Sequence, residues 1–301
     1  MTSAIVVGYT ATDAGADALA LGVRLARSTH RHLHVLVVLP DDGSGSATAP
    51  TESLYADLIR GQAKEWLDAA AELIPDGVAH TAHARIADSF AEGLVHAGEE
   101  LGADLIVVGA ANGATIGLHR MGSVARALLH SSPIPVALAP AGFAHREDAD
   151  APISRVTAAI GSRPGADVLL DAAVALSAST GATLRLVSLV AFDVPRGLDV
   201  QTIRLVSAAH GDDVLARAEV ELPPGIPVEL ERAPGDTVEE AVAQLGWLPG
   251  ELILVGSSRL AQPRRLFLGS TAAKMLDVIP VPMIVVPRTR ATDAPDALPD
   301  A

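Results

Sequence analysis

Short apolar runs alternate with longer stretches of mixed polarity along the whole chain. In the first half the apolar runs occupy residues 4–8, 33–39, 104–109 and 136–139, a more polar stretch at 78–85 is predicted to be a further strand, and the stretches between them place apolar residues at helical spacing. Runs of this length are typical of buried strands in a parallel sheet, and the longer stretches are typical of the helices that cover such a sheet. The first half is therefore predicted to be an α/β domain.

The same order of elements returns in the second half at a constant spacing. The run at 104–109 reappears at 251–256, and the pair at 122–123 reappears at 269–270, both with an offset of 147. A constant offset indicates two copies of one unit, and alternating strands and helices imply right-handed crossovers and a parallel sheet. We predict two tandem, doubly wound, Rossmann-like domains, each a five-stranded parallel sheet flanked by helices. The first spans 1–141 and the second 152–288, with a linker at 142–151 and a disordered tail at 289–301.

Composition narrows the range of partners. The 301 residues are 49% hydrophobic but only 3% aromatic, so each half can bury a core of aliphatic side chains. The formal net charge of −14 argues against nucleic acid, because that affinity depends on basic residues that neutralise phosphates. It also argues against anionic membranes, and no apolar run reaches the roughly 18 residues that span a bilayer. Without cysteine or a secretory pattern at its start, the chain is expected to be cytoplasmic.

The loop after the fourth strand of each half carries the candidate chemistry. In the first half it leaves the strand at Gly109 and enters a helix at Gly122-Ser123. Glycine lets backbone N–H groups approach a ligand closely, and a helix N-terminus offers free donors and partial positive charge to a phosphate. The serine hydroxyl adds a possible phosphate contact, and the loops carry the cations His119, Arg120, Arg264 and Arg265. Two other interpretations stay open: the serines only cap the helices, or the glycines only turn the chain.

This segment, followed in each half by Pro-x-Pro and a short apolar strand, resembles the universal stress protein family. Nucleotide-binding members carry Gly, two residues, Gly, nine residues, and Gly followed by Ser or Thr. The stretches Gly-Ala-Thr-Leu at 181–184 and Gly-Asp-Thr-Val-Glu-Glu at 235–240 are also similar to that family. The resemblance implies the adenine nucleotide alpha hydrolase-like form of the fold, with a cleft for ATP or a related nucleotide. It further implies that domains pair through their last strands, and that some members have lost the binding residues.

Two positions depart from the family pattern. The middle glycine of the motif is Asn112 in the first half and Arg259 in the second. Asn replaces Gly well at left-handed backbone angles, whereas Arg either obstructs the backbone or contacts a phosphate itself. The acidic residue that many members carry after strand one is replaced by Thr10 and Ile160. The candidate nucleotide-binding residues are therefore Gly109, Asn112, Gly122, Ser123, Gly256, Arg259, Gly269 and Ser270.

Two functional hypotheses follow. The first is a tandem stress-response protein regulated by ATP or a related adenine nucleotide, mainly in the first domain, with Mg²⁺ as an accompanying ion. The second is a nucleotide-free interaction scaffold of the same fold. The two domains are expected to pair with each other, and a homodimer stays open. No nucleophile elbow or P-loop pattern occurs, so no dedicated enzyme is predicted and any ATP hydrolysis is expected to be slow and incidental. The alternating His30, His32 and His34 are interpreted as a polar start of a strand, and no metal site is predicted.

Overall fold

The computed structural model describes residues 3–40, 50–111, 113–162, 164–191, 200–258, 260–261 and 265–289. The candidate residues Asn112 and Arg259 lie outside this set, as do residues 290–301 of the predicted tail. The other six candidate residues are described.

Strands and helices alternate in the same order in both halves. The first half contains β1 (Ala4–Gly8), α1 (Asp13–Thr29), β2 (His32–Pro40), α2 (Pro50–Glu72), β3 (His80–Ala87), α3 (Phe90–Glu100), β4 (Ala103–Gly109), α4 (Ser123–Ser131) and β5 (Val136–Ala139). The second half contains β6 (Arg155–Ala159), α5 (Ala166–Thr180), β7 (Thr183–Ala191), α6 (Val200–Glu221), β8 (Val228–Gly235), α7 (Val238–Ala243), β9 (Glu251–Gly256), α8 (Ser270–Leu276) and β10 (Met283–Val286).

All ten of these strands form one sheet, in the order β3-β2-β1-β4-β5-β10-β9-β6-β7-β8. Neighbours within each half run parallel, so each half is the predicted five-stranded parallel sheet. The halves join where β5 and β10 pair antiparallel, with Ala137 opposite Ile284. Aliphatic cores cover both faces of the sheet, with α1, α2, α5 and α6 on one face and α3, α4 and α8 on the other. The halves therefore share one continuous interior.

Beyond the paired strands, the halves exchange hydrogen bonds at the ends of their helices. The last carbonyls of α4 would otherwise lack partners, and two of them, together with the carbonyl of the C-cap residue Ser132, accept bonds from the second half. Leu266 N–H donates to Ser132 O (2.8 Å), Leu268 N–H to Leu129 O (3.0 Å), and the Arg265 guanidinium to Ser131 O (2.6 Å). In the opposite direction, His119 Nε2–H donates to Val281 O at 2.8 Å and Arg146 donates to Pro280 O at 2.7 Å. The loops after the fourth strands thus help to hold the halves together.

The predicted linker packs against α1. Residues Phe143–His145 form a 3₁₀ helix, and Phe143 is 1% exposed. The buried Asp17 carboxylate accepts the backbone N–H groups of Gly142 and Ala144, both at 2.8 Å. A carboxylate with two backbone donors holds this segment in one geometry. The segment that connects the two halves is therefore held in place against α1.

Candidate functional site

A cleft of about 380 Å³ lies at the carboxyl ends of β6 and β9 in the second half. This is the point where the order of the strands reverses, which is where doubly wound sheets bind ligands. The volume falls within the roughly 300–1,000 Å³ of typical small-molecule sites. Its apolar lining includes Ile160, Leu169, Leu189, Val214, Val255 and Met275, and its polar lining includes Ser162, Ser188, His210, Ser257, Ser258 and Thr271.

The glycine that ends the fourth strand has different surroundings in the two halves. A Cβ added to Gly256 would meet only Leu169 Cδ2, at 3.8 Å, so the cleft beside this glycine is open. A Cβ added to Gly109 would lie 2.0 Å from the carbonyl oxygen of Ala14. In the first half, the first turn of α1 therefore sits directly on the glycine, in the place where the second half has a cleft.

The length of one connection accounts for this difference. Residues 9–12 join β1 to α1, whereas the longer segment 160–165 joins β6 to α5. The short connection folds tightly: Thr12 N–H donates to Thr10 O at 2.8 Å, and Gly15 must lack a side chain because its Cβ would lie 1.8 Å from that same oxygen. The short turn brings α1 onto β4, and the longer one leaves α5 set back from β9.

A glycine stands immediately before each of the two helices that follow these loops. Gly122 is the N-cap of α4 and Gly269 is the N-cap of α8, in extended conformations that any residue can adopt, with φ of −78° and −74°. Neither cap makes a side-chain hydrogen bond, whereas Thr12, Ser89 and Thr237 cap α1, α3 and α7 through their hydroxyls. The interpretation of Ser123 and Ser270 as N-caps is therefore wrong, because each serine is the first residue of its helix. Both glycines have a negative φ, so a turn of the chain at these positions does not require glycine for its backbone angles.

The cleft uses the residue after the predicted serine. Thr271 lines the cleft, while Ser270 is exposed and does not appear in the lining. Gly256 and Gly269 both line it, as predicted for the loop after the fourth strand. In the first half Ser123 is exposed as well. Of the described candidate residues, the structure thus brings Gly256 and Gly269 to a cleft.

Two of the four cations predicted near the phosphates, His119 and Arg265, bond across the interface between the halves. His119 is 7% exposed, and burial lowers its pKa to about 4, against the opposing effect of its bond to Val281 O. A neutral, enclosed imidazole cannot offer charge to a phosphate. Arg265 donates to Ser131 O across the interface, and Arg264 lies outside the described residues. Sequence spacing brought these residues close to the glycines but could not show that they point toward the other half.

Sequence reasoning missed the polar side chains of the cleft, among them Ser162, Ser258, Thr271 and His210. Ser258 and Thr271 are close in sequence to the predicted glycines, so proximity was a usable signal for them. His210 lies in α6, far along the chain from either motif. It reaches the cleft only because α6 packs beside β7, and no local sequence pattern predicts that contact.

Two further features of the described residues, a histidine cluster and a second cleft, have some of the properties of a site. His34 Nδ1 lies 3.0 Å from His83 Nε2 on neighbouring strands, and burial, with His32 and His83 close by, lowers the pKa of His34 to about 4. Across the described ranges, however, no group of three or more metal-ligating side chains is placed to hold an ion. A second cleft of about 460 Å³ lies between β8 and α7, but its Arg232 already pairs with Asp212 at 3.2 Å.

Within the described part of the chain, no helix has the length and apolar character needed to cross a membrane.

The sequence model of the universal stress protein family matches residues 1–140 and 152–287, which together are nearly the whole chain. The chain belongs to the universal stress protein family. This match and the ten-stranded sheet confirm the tandem arrangement predicted from the repeat. The exact bounds predicted for the domains, linker and tail remain sequence-based predictions.

Similar proteins support this membership over the full length. A universal stress protein of Mycobacterium tuberculosis is 27% identical over 293 residues, which cover 94% of this chain and 99% of that protein, and a universal stress protein of Mycobacterium bovis has the same identity and coverage. The crystal structure of a universal stress protein from Archaeoglobus fulgidus has a TM-score of 0.66 at 20% identity, covering 96% of this chain and 100% of that chain. A putative universal stress protein from Pseudomonas aeruginosa has a TM-score of 0.56 at 18% identity, covering 95% and 93%. These structures show the fold of the universal stress proteins.

Proposed function

We propose that this universal stress protein binds ATP or a related adenine nucleotide in the cleft of its second half. The open cleft beside Gly256 is the observation that carries the proposal. Sequence reasoning favoured the first half, but there the first turn of α1 packs on Gly109. We therefore move the proposed site to the second half and assign the first half the role of a scaffold, which was the alternative hypothesis.

The arrangement of the cleft supports a phosphate on one wall. Gly256 and Gly269 leave the backbone accessible, and Ser258 and Thr271 supply hydroxyl donors on the same side. Apolar side chains such as Leu169 form a floor suited to a flat base. The chemistry is that of a binding site, with Mg²⁺ entering only as the partner of the nucleotide phosphates.

We further propose that occupancy acts through the interface between the halves. Phe267 O accepts bonds from Ser258 N–H (2.8 Å) and Ser257 Oγ (3.2 Å), both at the cleft. Its neighbours Leu266 and Leu268 donate to the end of α4 in the first half. A ligand that orders the cleft loop would thereby order a segment that also holds α4. In this proposal the protein is a cytoplasmic stress-response protein regulated by nucleotide, without a dedicated enzymatic activity.

Titration calorimetry of the full chain with ATP and Mg²⁺ tests the proposal. We expect one nucleotide per chain. Gly256→Ala places a methyl group in the cleft, and Thr271→Val removes one hydroxyl without changing side-chain shape, so both should weaken binding, the latter roughly 3- to 10-fold if one hydrogen bond is lost. Ser123→Ala is the matched control in the first half and should leave the affinity unchanged.

Two results would count against the proposal. An absence of binding at millimolar ATP would reject the nucleotide and favour the scaffold hypothesis for both halves. Binding that is lost in Ser123→Ala and retained in Thr271→Val would return the site to the first half.

A further inference from the structure

Ser162 and His210 form a polar pair that lines the cleft. Ser162 belongs to the connection after β6, and His210 belongs to α6. Ser162 Oγ and His210 Nε2 are 3.4 Å apart, and both side chains are exposed to the cleft mouth. His210 lies one turn before Val214, which lines the apolar floor. His210 lies on α6, which covers one face of the sheet, whereas Gly269 leads into α8 on the other face, so the two residues approach the cleft from opposite faces.

The two walls offer different chemistry to a ligand. The wall at 256–258 and 269–271 combines accessible backbone with hydroxyls, which suits an anion. The Ser162–His210 wall offers one hydroxyl and one imidazole, each able to donate and accept a hydrogen bond. Among the described residues that line the cleft there is no carboxylate, lysine or arginine. The Ser162–His210 wall can therefore contribute hydrogen bonds to a ligand.

We propose that Ser162 and His210 recognise the sugar hydroxyls of the nucleotide and make the cleft selective for nucleotides over bare polyphosphate. This inference rests on the nucleotide site proposed above. Two adjacent hydroxyls on a ribose present donors and acceptors side by side, which complements a serine hydroxyl next to an imidazole nitrogen. A site built to bond a ligand hydroxyl discriminates against an analogue that lacks it, because its own polar groups are then left without that partner.

A serine next to a histidine also has the composition of a nucleophile and its base. In a catalytic arrangement a third group orients the imidazole. Within the described ranges His210 makes no hydrogen bond to a carboxylate, and its contact with Ser162 is long for an activated pair. The geometry therefore favours recognition, and hydrolysis becomes an outcome that the experiment can detect.

The experiment measures binding of three probes to the full chain: ATP, 2′,3′-dideoxy-ATP and inorganic tripolyphosphate. In the wild type, ATP should bind more tightly than dideoxy-ATP. His210→Ala and Ser162→Ala should each weaken ATP binding by roughly 3- to 10-fold, reduce the difference between ATP and dideoxy-ATP, and leave tripolyphosphate unchanged. His96→Ala, an exposed histidine on α3 in the first half, is the matched control and should change none of these affinities. Thermal midpoints of the variants should stay within about 2 °C of the wild type, because both side chains are exposed.

Each alternative result has a distinct meaning. Wild-type protein that binds none of the probes would refute the proposed function, and this inference with it, before any variant is examined. Wild-type protein that binds ATP, with unchanged ATP affinity in both variants, would overturn the inference alone. Equal weakening of ATP and tripolyphosphate in His210→Ala would make the imidazole a phosphate contact and also overturn it. Phosphate release from ATP that is abolished by Ser162→Ala would replace recognition by catalysis.

Discussion

Replacing Glu251 by alanine is expected to destabilise the second half by about 3–5 kcal/mol, the cost of removing one partner from a buried ion pair. Glu251 begins β9, at the opposite end of the sheet from the cleft, and its side chain has no exposed area. One carboxylate oxygen accepts Arg185 at 2.6 Å and the Thr157 hydroxyl, and the other accepts Arg155 at 2.7 Å and Leu248 N–H at 2.9 Å. Four donors therefore depend on this carboxylate.

The magnitude follows from what remains when the carboxylate is gone. The side chains of Arg185 and Arg155 are 2% and 11% exposed, so water cannot replace their lost partner easily. Each guanidinium keeps one carboxylate on β8, Glu231 at 2.9 Å and Glu229 at 3.4 Å. These remaining pairs limit the loss, which is why we expect the stated range and not the full cost of two isolated buried charges.

The repeat supplies a control at the equivalent position. Asp104, which is 147 residues earlier, is the second residue of β4, the corresponding strand of the first half, and pairs with Arg31 at 3.1 Å. Its side chain is 44% exposed and that of Arg31 is 26% exposed. Exposed pairs contribute about 0–1 kcal/mol, because water and salt screen them. Asp104→Ala should therefore cost at most about 1 kcal/mol.

Urea denaturation of the full chain, followed by tryptophan fluorescence, measures both variants. Trp247 lies 5.1 Å from the Arg185 guanidinium and reports on the second half, so a Trp66→Phe background isolates its signal. With a typical denaturant slope, the Glu251→Ala midpoint should fall by about 1–3 M urea. A fall no larger than that of Asp104→Ala would refute the reasoning that burial, and not the mere presence of an ion pair, sets the cost.

Three further outcomes are expected. As the pH drops from 6.5 toward 4, an unfolded chain protonates His119 and the folded chain does not, so the contribution of His119 to stability should fall by up to roughly 3 kcal/mol over that window and stay constant above it. His119→Gln keeps a donor without titrating and should remove this contribution in pH-dependent urea titrations, while the separate contribution of His34, whose pKa burial also lowers to about 4, should remain. Asp17→Ala should cost about 1–3 kcal/mol and speed hydrogen exchange at the two amides that it holds, since both lose a charged acceptor. Gly109→Ala should lower the free energy of unfolding by about 1–3 kcal/mol or more, because the added methyl group would collide with backbone atoms. Gly256→Ala should change it by no more than about 0.5 kcal/mol. Equal thermal shifts in the two variants would contradict the difference in packing.

The fold was predictable because it depends on local sequence patterns that occur once in each half of the chain. The runs at 4–8 and 136–139 are β1 and β5 with the predicted bounds. All their residues are buried, so the continuous apolar runs alone located them. The pairing of β5 with β10 came from the family resemblance, since apolar runs do not reveal which edge strands meet.

The site was less predictable, because its two copies differ in contacts that no motif records. Gly109 and Gly256 occupy the same place in the repeat, and their immediate sequences read alike. What separates them is the length of a different connection, 9–12 against 160–165, which decides whether a helix covers the glycine. The motif therefore locates the loop, but the distance between α1 or α5 and the end of the fourth strand determines whether a ligand can reach it. In a duplicated chain, comparing the turn after the first strand in each copy is thus a more direct test for an open cleft than counting the glycines of the motif.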